Sequence, residues 1–259
     1  MTHPRTPTPT DGIAWVTGAS SGIGEHVALI LAARGWTVAA SARRGEVLAD
    51  LARRAGGPGR ILPLPLDITD PAAVRTAVAG LEAEHGPVAL AVLNAGTYVP
   101  DSARTFSAEA FRQTVEVNLM GSAQCLEALL PGMIRRRLGQ LVLVSSVAGY
   151  RGLPRSLAYG ASKAALINLA ESLKLDVERF GLKVQLVTPG FIKTPLTDRN
   201  DFPMPFLMPV EQAALRLVDA LGQDRFEISF PRRFTFWLRR LRCLPYPLYF
   251  TLVRRTQPK

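Results

Sequence analysis

Tyr159 and Lys163 stand four residues apart in a segment whose spacing predicts a helix, Leu157 to Phe180, so both side chains share one face. An unperturbed phenol has a pKa near ~10 and is a poor proton shuttle at neutral pH. A nearby ammonium favours the phenolate and is expected to lower that pKa. Ser146, at the end of a predicted strand, could donate a hydrogen bond to the same reacting oxygen. The pattern predicts acid–base chemistry, although tyrosine and lysine also share solvated helix faces by chance.

A glycine-rich segment, TGASSGIG at residues 17–24, lies where the first predicted strand meets the first predicted helix. Its glycines let backbone amides approach a pyrophosphate, and the helix N-terminus favours negative charge. The spacing G-x-x-x-G-x-G differs from the commoner dinucleotide fingerprint G-x-G-x-x-G. The alternative is a Gly/Ser-rich turn with no ligand. The residues predicted to bind a cofactor here are Gly18, Ser20, Ser21, Gly22, Ile23 and Gly24.

The end of the second predicted strand reads Ser41-Ala-Arg-Arg44 and indicates which dinucleotide is bound. A carboxylate at this place would bind the ribose 2′-hydroxyl of NAD, whereas an arginine accommodates the 2′-phosphate of NADP. No carboxylate is present, and Arg43 can make a charge-assisted contact to phosphate. The sequence therefore predicts NADP, against the alternative of two surface arginines that open a helix.

Short apolar runs alternate with helical patterns along most of the chain. The predicted strands are 13–16, 36–42, 61–66, 88–93, 140–144, 184–187 and 226–230. The predicted helices are 22–34, 44–54, 72–84, 108–138, 157–180 and 211–221. Strands that are apolar on both faces and alternate with helices imply a parallel sheet covered on both sides. Right-handed crossovers then predict one α/β domain, a doubly wound Rossmann-type sheet with strand order 3-2-1-4-5-6-7.

Composition excludes several classes of protein. The 259 residues are 47% hydrophobic and 20% charged, which is ordinary for a globular protein. Two cysteines, Cys125 and Cys243, and three scattered histidines predict neither a disulfide framework nor a metal site, and they fit a reducing cytoplasmic compartment. No apolar run reaches the roughly 20 residues that a membrane-spanning helix needs.

The ends of the chain differ from its middle. Residues 1–11 are rich in proline and threonine and are expected to form a disordered leader, residues 12–230 the catalytic domain, and residues 231–259 a basic extension. The formal net charge is +10, of which +8 lies between Arg225 and Lys259. The basic character therefore belongs to the extension, and without a binding module it does not predict nucleic-acid binding.

Helical spacing continues into this extension. Phe234, Trp237, Leu238 and Leu241 form a stripe, from which Arg239 and Arg242 are expected to point away. A basic amphipathic helix with aromatic residues suits the surface of an anionic membrane, such as the inner face of a cytoplasmic membrane. The alternative is that the stripe packs on the domain or on a partner subunit.

Beyond these patterns, the sequence resembles the short-chain dehydrogenase/reductase family over about residues 12–230. Seven motifs occur in the family's order and spacing: TGASSGIG at 17–24, LDIT at 66–69, NAG at 94–96, Asn118, SSVAG at 145–149, YGASK at 159–163 and PGFIKT at 189–194. The resemblance implies that Tyr159 is the general acid/base, that Ser146 orients the substrate carbonyl and that Lys163 also binds the nicotinamide ribose. Asn118 would interrupt its helix and hold a water that links Lys163 to solvent.

The same resemblance implies how the cofactor is bound. Asp67 and Ile68 would border the adenine, and Asn94, Ala95 and Gly96 the adenosine ribose. The residues implied for the nicotinamide end are Pro189, Gly190, Ile192 and Thr194. Ser145 competes with Ser146 for the serine role, but strand alternation points it to the opposite face.

Together these features predict an NADPH-dependent oxidoreductase that interconverts a hydrophobic ketone or aldehyde and its alcohol. Apolar residues in the loop 196–209 would line the substrate pocket, unless they pack on the body or a neighbouring subunit. The resemblance implies a homodimer or homotetramer built on the two long helices. A nucleotide-sugar epimerase is disfavoured because there is no room for a substrate domain. The alternative from another class is an NADP-binding interaction protein or membrane-tethered regulator without turnover.

Overall fold

A seven-stranded parallel sheet forms the centre of the protein, whose computed structural model describes residues 4–200 and 202–255. The strands are β1 (Ile13–Thr17), β2 (Thr37–Ala42), β3 (Arg60–Pro65), β4 (Val88–Leu93), β5 (Gln140–Val144), β6 (Lys183–Pro189) and β7 (Glu227–Phe230). Their spatial order, β3-β2-β1-β4-β5-β6-β7, confirms the predicted doubly wound topology. The order reverses between β1 and β4, the place where such sheets bind ligands at the carboxyl ends of their strands.

The helices of the described chain cover both faces of this sheet. They are α1 (Gly22–Ala33), α2 (Gly45–Arg53), α3 (Pro71–His85), α4 (Ala108–Val115), α5 (Gly121–Arg136), α6 (Leu157–Val177), α7 (Val210–Leu221), α8 (Arg232–Arg242) and α9 (Tyr246–Arg254). A π-helical turn, Glu116–Met120, separates α4 from α5, so the predicted helical region 108–138 is interrupted around Asn118, as the family resemblance implied. The single extra residue of such a turn rotates the helix that comes after it, and Asn118 lies in this turn.

The core has two layers because successive strand residues point to opposite faces. In β1, Ala14 and Val16 belong to one apolar cluster and Ile13 and Trp15 to the other. The first cluster includes residues of α1, α2 and α7, and the second includes residues of α3, α5 and α6. All five residues of β1 are buried, which agrees with the uninterrupted apolar character of parallel strands.

The described part of the N-terminal segment differs from the disordered leader expected for residues 1–11. Pro7 is buried, and Lys183 at the start of β6 donates a hydrogen bond of 2.8 Å to Thr6 Oγ1. Arg5 pairs with Asp11, and Pro9–Asp11 form a 3-10 turn. Residues 1–3 lie outside the described chain.

The C-terminal extension packs on the domain through one side of α8. Phe234 and Leu238 contact the second apolar cluster, and Thr235 is buried. The expectation for Arg239 is wrong, because its guanidinium faces inward and pairs with Glu227 of β7. Trp237, which was expected in the packing stripe, is 67% exposed. Residues 256–259 lie outside the described chain.

Within residues 4–200 and 202–255, no helix has both the length and the apolar content needed to cross a membrane.

Candidate active site

A cavity of about 110 Å³ opens at the carboxyl ends of the central strands. Its wall is formed by the turns after β1, β4, β5 and β6, because parallel strands end at the same edge of the sheet. The lining residues are Ile23, Asn94, Gly96, Val144, Ser145, Ser146, Tyr159, Lys163, Pro189, Gly190, Ile192, Thr194, Leu196 and Thr197. Ten of the predicted site residues therefore meet in one place.

Glycine is required in the turn after β1. Gly18 and Gly22 have φ values of 68° and 62°, the left-handed region that other residues rarely adopt. A Cβ at Gly18 would lie 2.7 Å from the Cα of Ala95. Ser21 is the N-cap of α1, yet its side chain makes no capping hydrogen bond. The first amides of α1 are therefore available to an anionic group, which is the donor set a pyrophosphate requires.

Asn94 and Thr17 brace this turn against β4. Thr17 Oγ1 accepts hydrogen bonds from the amides of Asn94, at 3.0 Å, and Ala95, at 3.1 Å. Asn94 Nδ2 in turn donates to the carbonyls of Thr17, at 3.0 Å, and Gly18, at 3.3 Å. The NAG motif thus has a positioning role that its sequence alone does not reveal, since its side-chain amide holds the glycine turn in shape.

Ser146, Tyr159 and Lys163 lie together on the opposite wall. The Ser146 hydroxyl lowers the pKa of the Tyr159 phenol and accepts a hydrogen bond from the amide of Ala148 at 3.1 Å. Lys163 is 3% exposed; its Nζ lies 5.7 Å from the centroid of the Tyr159 ring and donates to the carbonyl of Val144 at 2.9 Å. The ammonium therefore lies within electrostatic reach of the phenol, anchored by the end of β5.

Burial sets the pKa values of this pair. Burial raises the pKa of Tyr159 to about 12, an effect that the Ser146 hydroxyl opposes. Burial also lowers the pKa of Lys163 to about 8. Burial has the largest effect on the phenol pKa, and Lys163 is not among the groups that shift it, so the structure does not show the predicted lowering by Lys163. At neutral pH the phenol holds its proton.

Ser145 and Gly149 hold the backbone of Lys163 in place. Ser145 Oγ donates a 2.7 Å hydrogen bond to the backbone carbonyl of Lys163 on α6. A Cβ at Gly149 would lie 2.6 Å from the Lys163 carbonyl carbon, so only glycine lets this turn approach α6. Of the adjacent serines, it is Ser146 that acts on the Tyr159 phenol and lowers its pKa.

Asn118 lies behind the cavity and is completely buried. Its Oδ1 accepts from the amide of Thr97 at 2.7 Å, and its Nδ2 donates to the Thr97 carbonyl at 3.0 Å and to Ser162 Oγ at 2.9 Å. A Cβ at Gly96 would lie 3.2 Å from Asn118 Oδ1 and 3.4 Å from Lys163 Nζ. The π-helical turn thus ties the loop after β4 to α6, next to the lysine.

The predicted adenine end lies at the ends of β2 and β3. Arg43 is exposed, and its charge acts on Asp67, whose pKa is held low mainly by a hydrogen bond from the Thr69 amide. Arg44, for which the sequence predicted no role, donates to Ser20 Oγ at 3.0 Å. The Ile68 side chain is 7% exposed and belongs to the second apolar cluster, so it contributes to the core.

The segment after β6 connects the cavity to α8. A Cβ at Gly190 would lie 2.7 Å from the Phe234 ring, which explains glycine there. The Phe234 ring packs in a tilted arrangement against Phe191, with ring centroids 5.4 Å apart, and against Phe206, at 6.0 Å. Met208 is buried, and with Phe206 it lines a second cavity next to α7 and β7, outside the residues that line the cavity at Tyr159. Residue 201 of the loop lies outside the described chain.

The profile of the short chain dehydrogenases matches residues 12–202. The chain belongs to this family. It is 41% identical over 243 residues to an uncharacterized oxidoreductase of Myxococcus xanthus, which covers 93% of this chain and 96% of that protein. It is 34% identical to a 3-oxoacyl-[acyl-carrier-protein] reductase of Thermotoga maritima, over 72% of this chain and 76% of the relative.

A solved structure resembles the whole fold. The short-chain dehydrogenase from Streptomyces avermitilis superimposes with a TM-score of 0.80 at 28% identity and covers 94% of each chain. This short-chain dehydrogenase/reductase is therefore an oxidoreductase of CH–OH and C=O groups, and its cofactor is a nicotinamide dinucleotide. Because the Myxococcus alignment leaves only 7% of the chain uncovered, it reaches into residues 231–259.

Two positioning contacts could not have been selected from the sequence. The Val144 carbonyl that receives Lys163 Nζ is a backbone atom with no motif. Tyr98 packs edge-on against Tyr159 with ring centroids 5.0 Å apart, and only the general region of Tyr98 was expected near substrate. Among the described residues there is no cluster of three or more histidine, cysteine or acidic side chains that could hold a metal ion.

Proposed function

We propose that the protein is an NADPH-dependent oxidoreductase that interconverts a hydrophobic ketone or aldehyde and its alcohol, with Tyr159 as general acid/base. The observation that carries this proposal is that Ser146, Tyr159 and Lys163 line one cavity, with Lys163 Nζ 5.7 Å from the centroid of the phenol ring. The hydroxyl groups of Ser146 and Tyr159 would then both face the substrate oxygen, and the Lys163 ammonium would lie next to Tyr159.

When bound, NADPH would supply the hydride that reduces the carbonyl carbon. Tyr159 donates its proton to the carbonyl oxygen as negative charge develops there, and Ser146 donates a hydrogen bond to the same oxygen. Lys163 is protonated below its pKa of about 8 and stabilises the phenolate that Tyr159 becomes. Asn118 and its π-helical turn support a water-mediated route by which the phenolate regains a proton. The neutral phenol, with a pKa near 12, suits the reductive direction.

Tyr159→Phe tests the acid–base role. Loss of a positioned proton donor should lower kcat by about 10²–10⁴-fold, while NADPH affinity, measured by cofactor fluorescence, should change little. Tyr246→Phe is the control, since it removes a phenol hydroxyl from an exposed position that does not line the cavity; its kcat should be unchanged. Turnover that survives in Tyr159→Phe would remove the assignment.

NADP selectivity is supported by the end of β2, where Arg43 is exposed beside Asp67 and Arg44 contacts Ser20. Arg43→Ala should raise the KM for NADPH by about 10–100-fold, the value of a charge-assisted hydrogen bond, and leave the KM for NADH nearly unchanged. Arg53→Ala, on the neighbouring helix, removes an equal charge and should affect neither constant. Equal changes for both cofactors in Arg43→Ala would contradict NADP selectivity.

The proposed cofactor-binding residues follow the cavity and its two ends. Gly18, Ser20, Ser21, Gly22, Ile23 and Gly24 would hold the pyrophosphate, and Arg43, Asp67 and Ile68 the adenosine end, with Asn94, Ala95 and Gly96 between them. Pro189, Gly190, Ile192 and Thr194 would hold the nicotinamide beside Tyr159 and Lys163. Thr194 lies next to Gly22, where a Cβ would be 3.2 Å from the threonine methyl group.

A hydrophobic substrate is supported by the apolar part of the cavity wall, which includes Val144, Ile192 and Leu196. The Thermotoga relative is named for a 3-oxoacyl group, which combines a ketone with a hydrocarbon chain. Loss of NADPH absorbance over a series of ketones and aldehydes of increasing chain length tests the substrate class. The value of kcat/KM should rise about fourfold for each buried methylene group. A kcat/KM for small polar carbonyls equal to that for long-chain carbonyls would contradict a hydrophobic substrate.

We further propose a homodimer or homotetramer built on the long helices α5 and α6. Leu175 on α6 is 77% exposed, an unusual position for a leucine in a long helix. Light scattering during gel filtration should give a mass of two or four chains. Leu175→Glu should lower that mass, whereas Lys174→Glu one residue earlier serves as the control for local helix damage.

A further inference from the structure

The C-terminal extension leaves one face of α8 exposed to solvent. Arg233, Phe236, Trp237 and Arg240 follow each other at helical intervals of three and four, so they form a single stripe. All four are exposed, and Trp237 is 67% exposed. We call this stripe, together with Tyr246 and Phe250, which stack on each other on α9, the outer face of the extension.

The outer face is unusually apolar for a solvent-exposed surface. The described chain has fourteen exposed large hydrophobic residues, and six of them lie in α8 and α9. Tyr246, Leu248 and Phe250 of α9 are 68%, 56% and 49% exposed, whereas Tyr249 alone is buried against the domain. An apolar concentration of this kind marks an interaction surface, since scattered single residues would need no explanation.

The same surface is strongly positive. Residues 231–255 contain seven arginines and no acidic residue. Arg239 and Arg242 pair with Glu227 and Glu171 of the domain. The other five form no ion pair with any described residue, and Arg240 lies over the Phe236 ring at 4.9 Å. Cationic and aromatic groups therefore alternate on one exposed face.

A cavity beside the start of α8 extends this positive region. It has a volume of about 530 Å³ and lies next to α7 and β7, away from Tyr159. Arg216, Arg225, Arg232 and Arg233 line it. Its single carboxylate, Asp219, is paired with Arg34. A recess with this lining is suited to an anionic headgroup.

We propose that the outer face of the extension docks the protein on an anionic phospholipid bilayer. Tryptophan, tyrosine and phenylalanine side chains of this face insert at the headgroup boundary, while its arginines contact lipid phosphates. A second copy of the chain would place arginines against arginines, which like-charge repulsion opposes. The helices of 11 and 9 residues are roughly 16 and 14 Å long, about half of the ~30 Å hydrocarbon core, so they lie along the surface.

Tryptophan fluorescence reports on this docking directly. Trp15 and Trp36 are 0% and 6% exposed, so Trp237 is the tryptophan whose surroundings change when the face is covered. Vesicles that contain phosphatidylserine should shift the emission to shorter wavelength and reduce acrylamide quenching. Pure phosphatidylcholine vesicles should have a much weaker effect, and salt at about 0.5 M should reverse the shift, because screening weakens contacts between exposed charges. Trp237→Phe should abolish the spectral change.

The double variant Arg233→Gln/Arg240→Gln tests whether vesicle binding depends on the outer face or only on the net charge of the protein. Each arginine near an anionic surface contributes about fivefold to binding, so the pair should weaken vesicle affinity about 30-fold in a flotation assay. Arg75→Gln/Arg135→Gln lowers the net charge equally on α3 and α5 and should change affinity less than about threefold. None of these four residues belongs to the proposed catalytic machinery.

Three outcomes would overturn the proposal. They are an unchanged Trp237 emission with anionic vesicles at low salt, equal loss of affinity in both arginine pairs, and a concentration-dependent shift without vesicles. The last result would show that a second copy covers the face. Because vesicle binding is measured without substrate or NADPH, failure here leaves the proposed oxidoreductase activity untouched.

Discussion

Replacing Lys163 by methionine should stabilise the protein at neutral pH while removing its activity. Lys163 is 3% exposed, and burial lowers its pKa from 10.5 to about 8. At neutral pH the ammonium is therefore kept charged in a place that disfavours charge. Methionine has a similar length and a similar helix propensity, so it fills the site without a cavity.

The magnitude follows from the pKa. A change from 10.5 to about 8 corresponds to about 3 kcal/mol of unfavourable burial below pH 8. The substitution also removes the 2.9 Å hydrogen bond from the charged Nζ to the Val144 carbonyl, which contributes about 1.5–3 kcal/mol. Lys163→Met should therefore raise the free energy of unfolding by up to about 1.5 kcal/mol near pH 7.

The pH dependence gives the sign of the effect. Since the folded pKa lies below the unfolded one, the unfolded chain binds more protons between about pH 8 and 10.5, and the stability of the unmodified protein rises with pH over this interval. The advantage of Lys163→Met is therefore largest below pH 8 and disappears as the pH rises toward 10. Tyr159, whose pKa is about 12, remains protonated over this range and does not contribute.

Urea unfolding at pH values between about 7 and 9.5 measures this difference. Lys174→Met, on the same helix, is the control; its lysine pairs with Glu178 near the surface, so the change should be under about 1 kcal/mol and independent of pH. The reasoning is refuted if Lys163→Met is less stable than the unmodified protein near pH 7, or if its advantage is the same at both ends of the range.

Three further predictions concern the surroundings of the site. Arg151 donates to the Leu241 and Leu244 carbonyls at the end of α8 and lies over the Tyr249 ring at 4.0 Å; Arg151→Ala should therefore increase hydrogen exchange in α8 and α9, and unchanged protection would contradict this role. Gly149→Ala should destabilise the fold by about 1–3 kcal/mol in urea unfolding, because its Cβ would meet backbone 2.6 Å away; an unchanged midpoint would contradict the close packing. Burial raises the pKa of Cys125 to about 12, so a thiol reagent should titrate only the exposed Cys243 until the protein is unfolded; two fast thiols in the native state would disprove this.

Element order and sheet topology were predictable because they depend on local patterns. Continuous apolar runs mark buried parallel strands. The turn after β1 needs glycines because its backbone adopts positive φ angles, a local requirement that does not depend on the rest of the fold. The break at Glu116–Met120 was invisible to periodicity, because one inserted residue changes the phase of a helix without changing its composition. The spacing of α8 likewise predicted a helix but placed Trp237 and Arg239 on the wrong sides.

The spacing of Tyr159 and Lys163 and the placement of Ser146 at the end of β5 follow from the sequence alone, since each depends only on the period of one element. The tertiary structure alone decided the sign of the Tyr159 pKa shift, the inward ion pair of Arg239 and the aromatic face that α8 leaves in solvent. Those properties depend on how many atoms from distant segments surround a group and exclude water from it. Desolvation is a sum over the folded chain, so no short stretch of residues contains it.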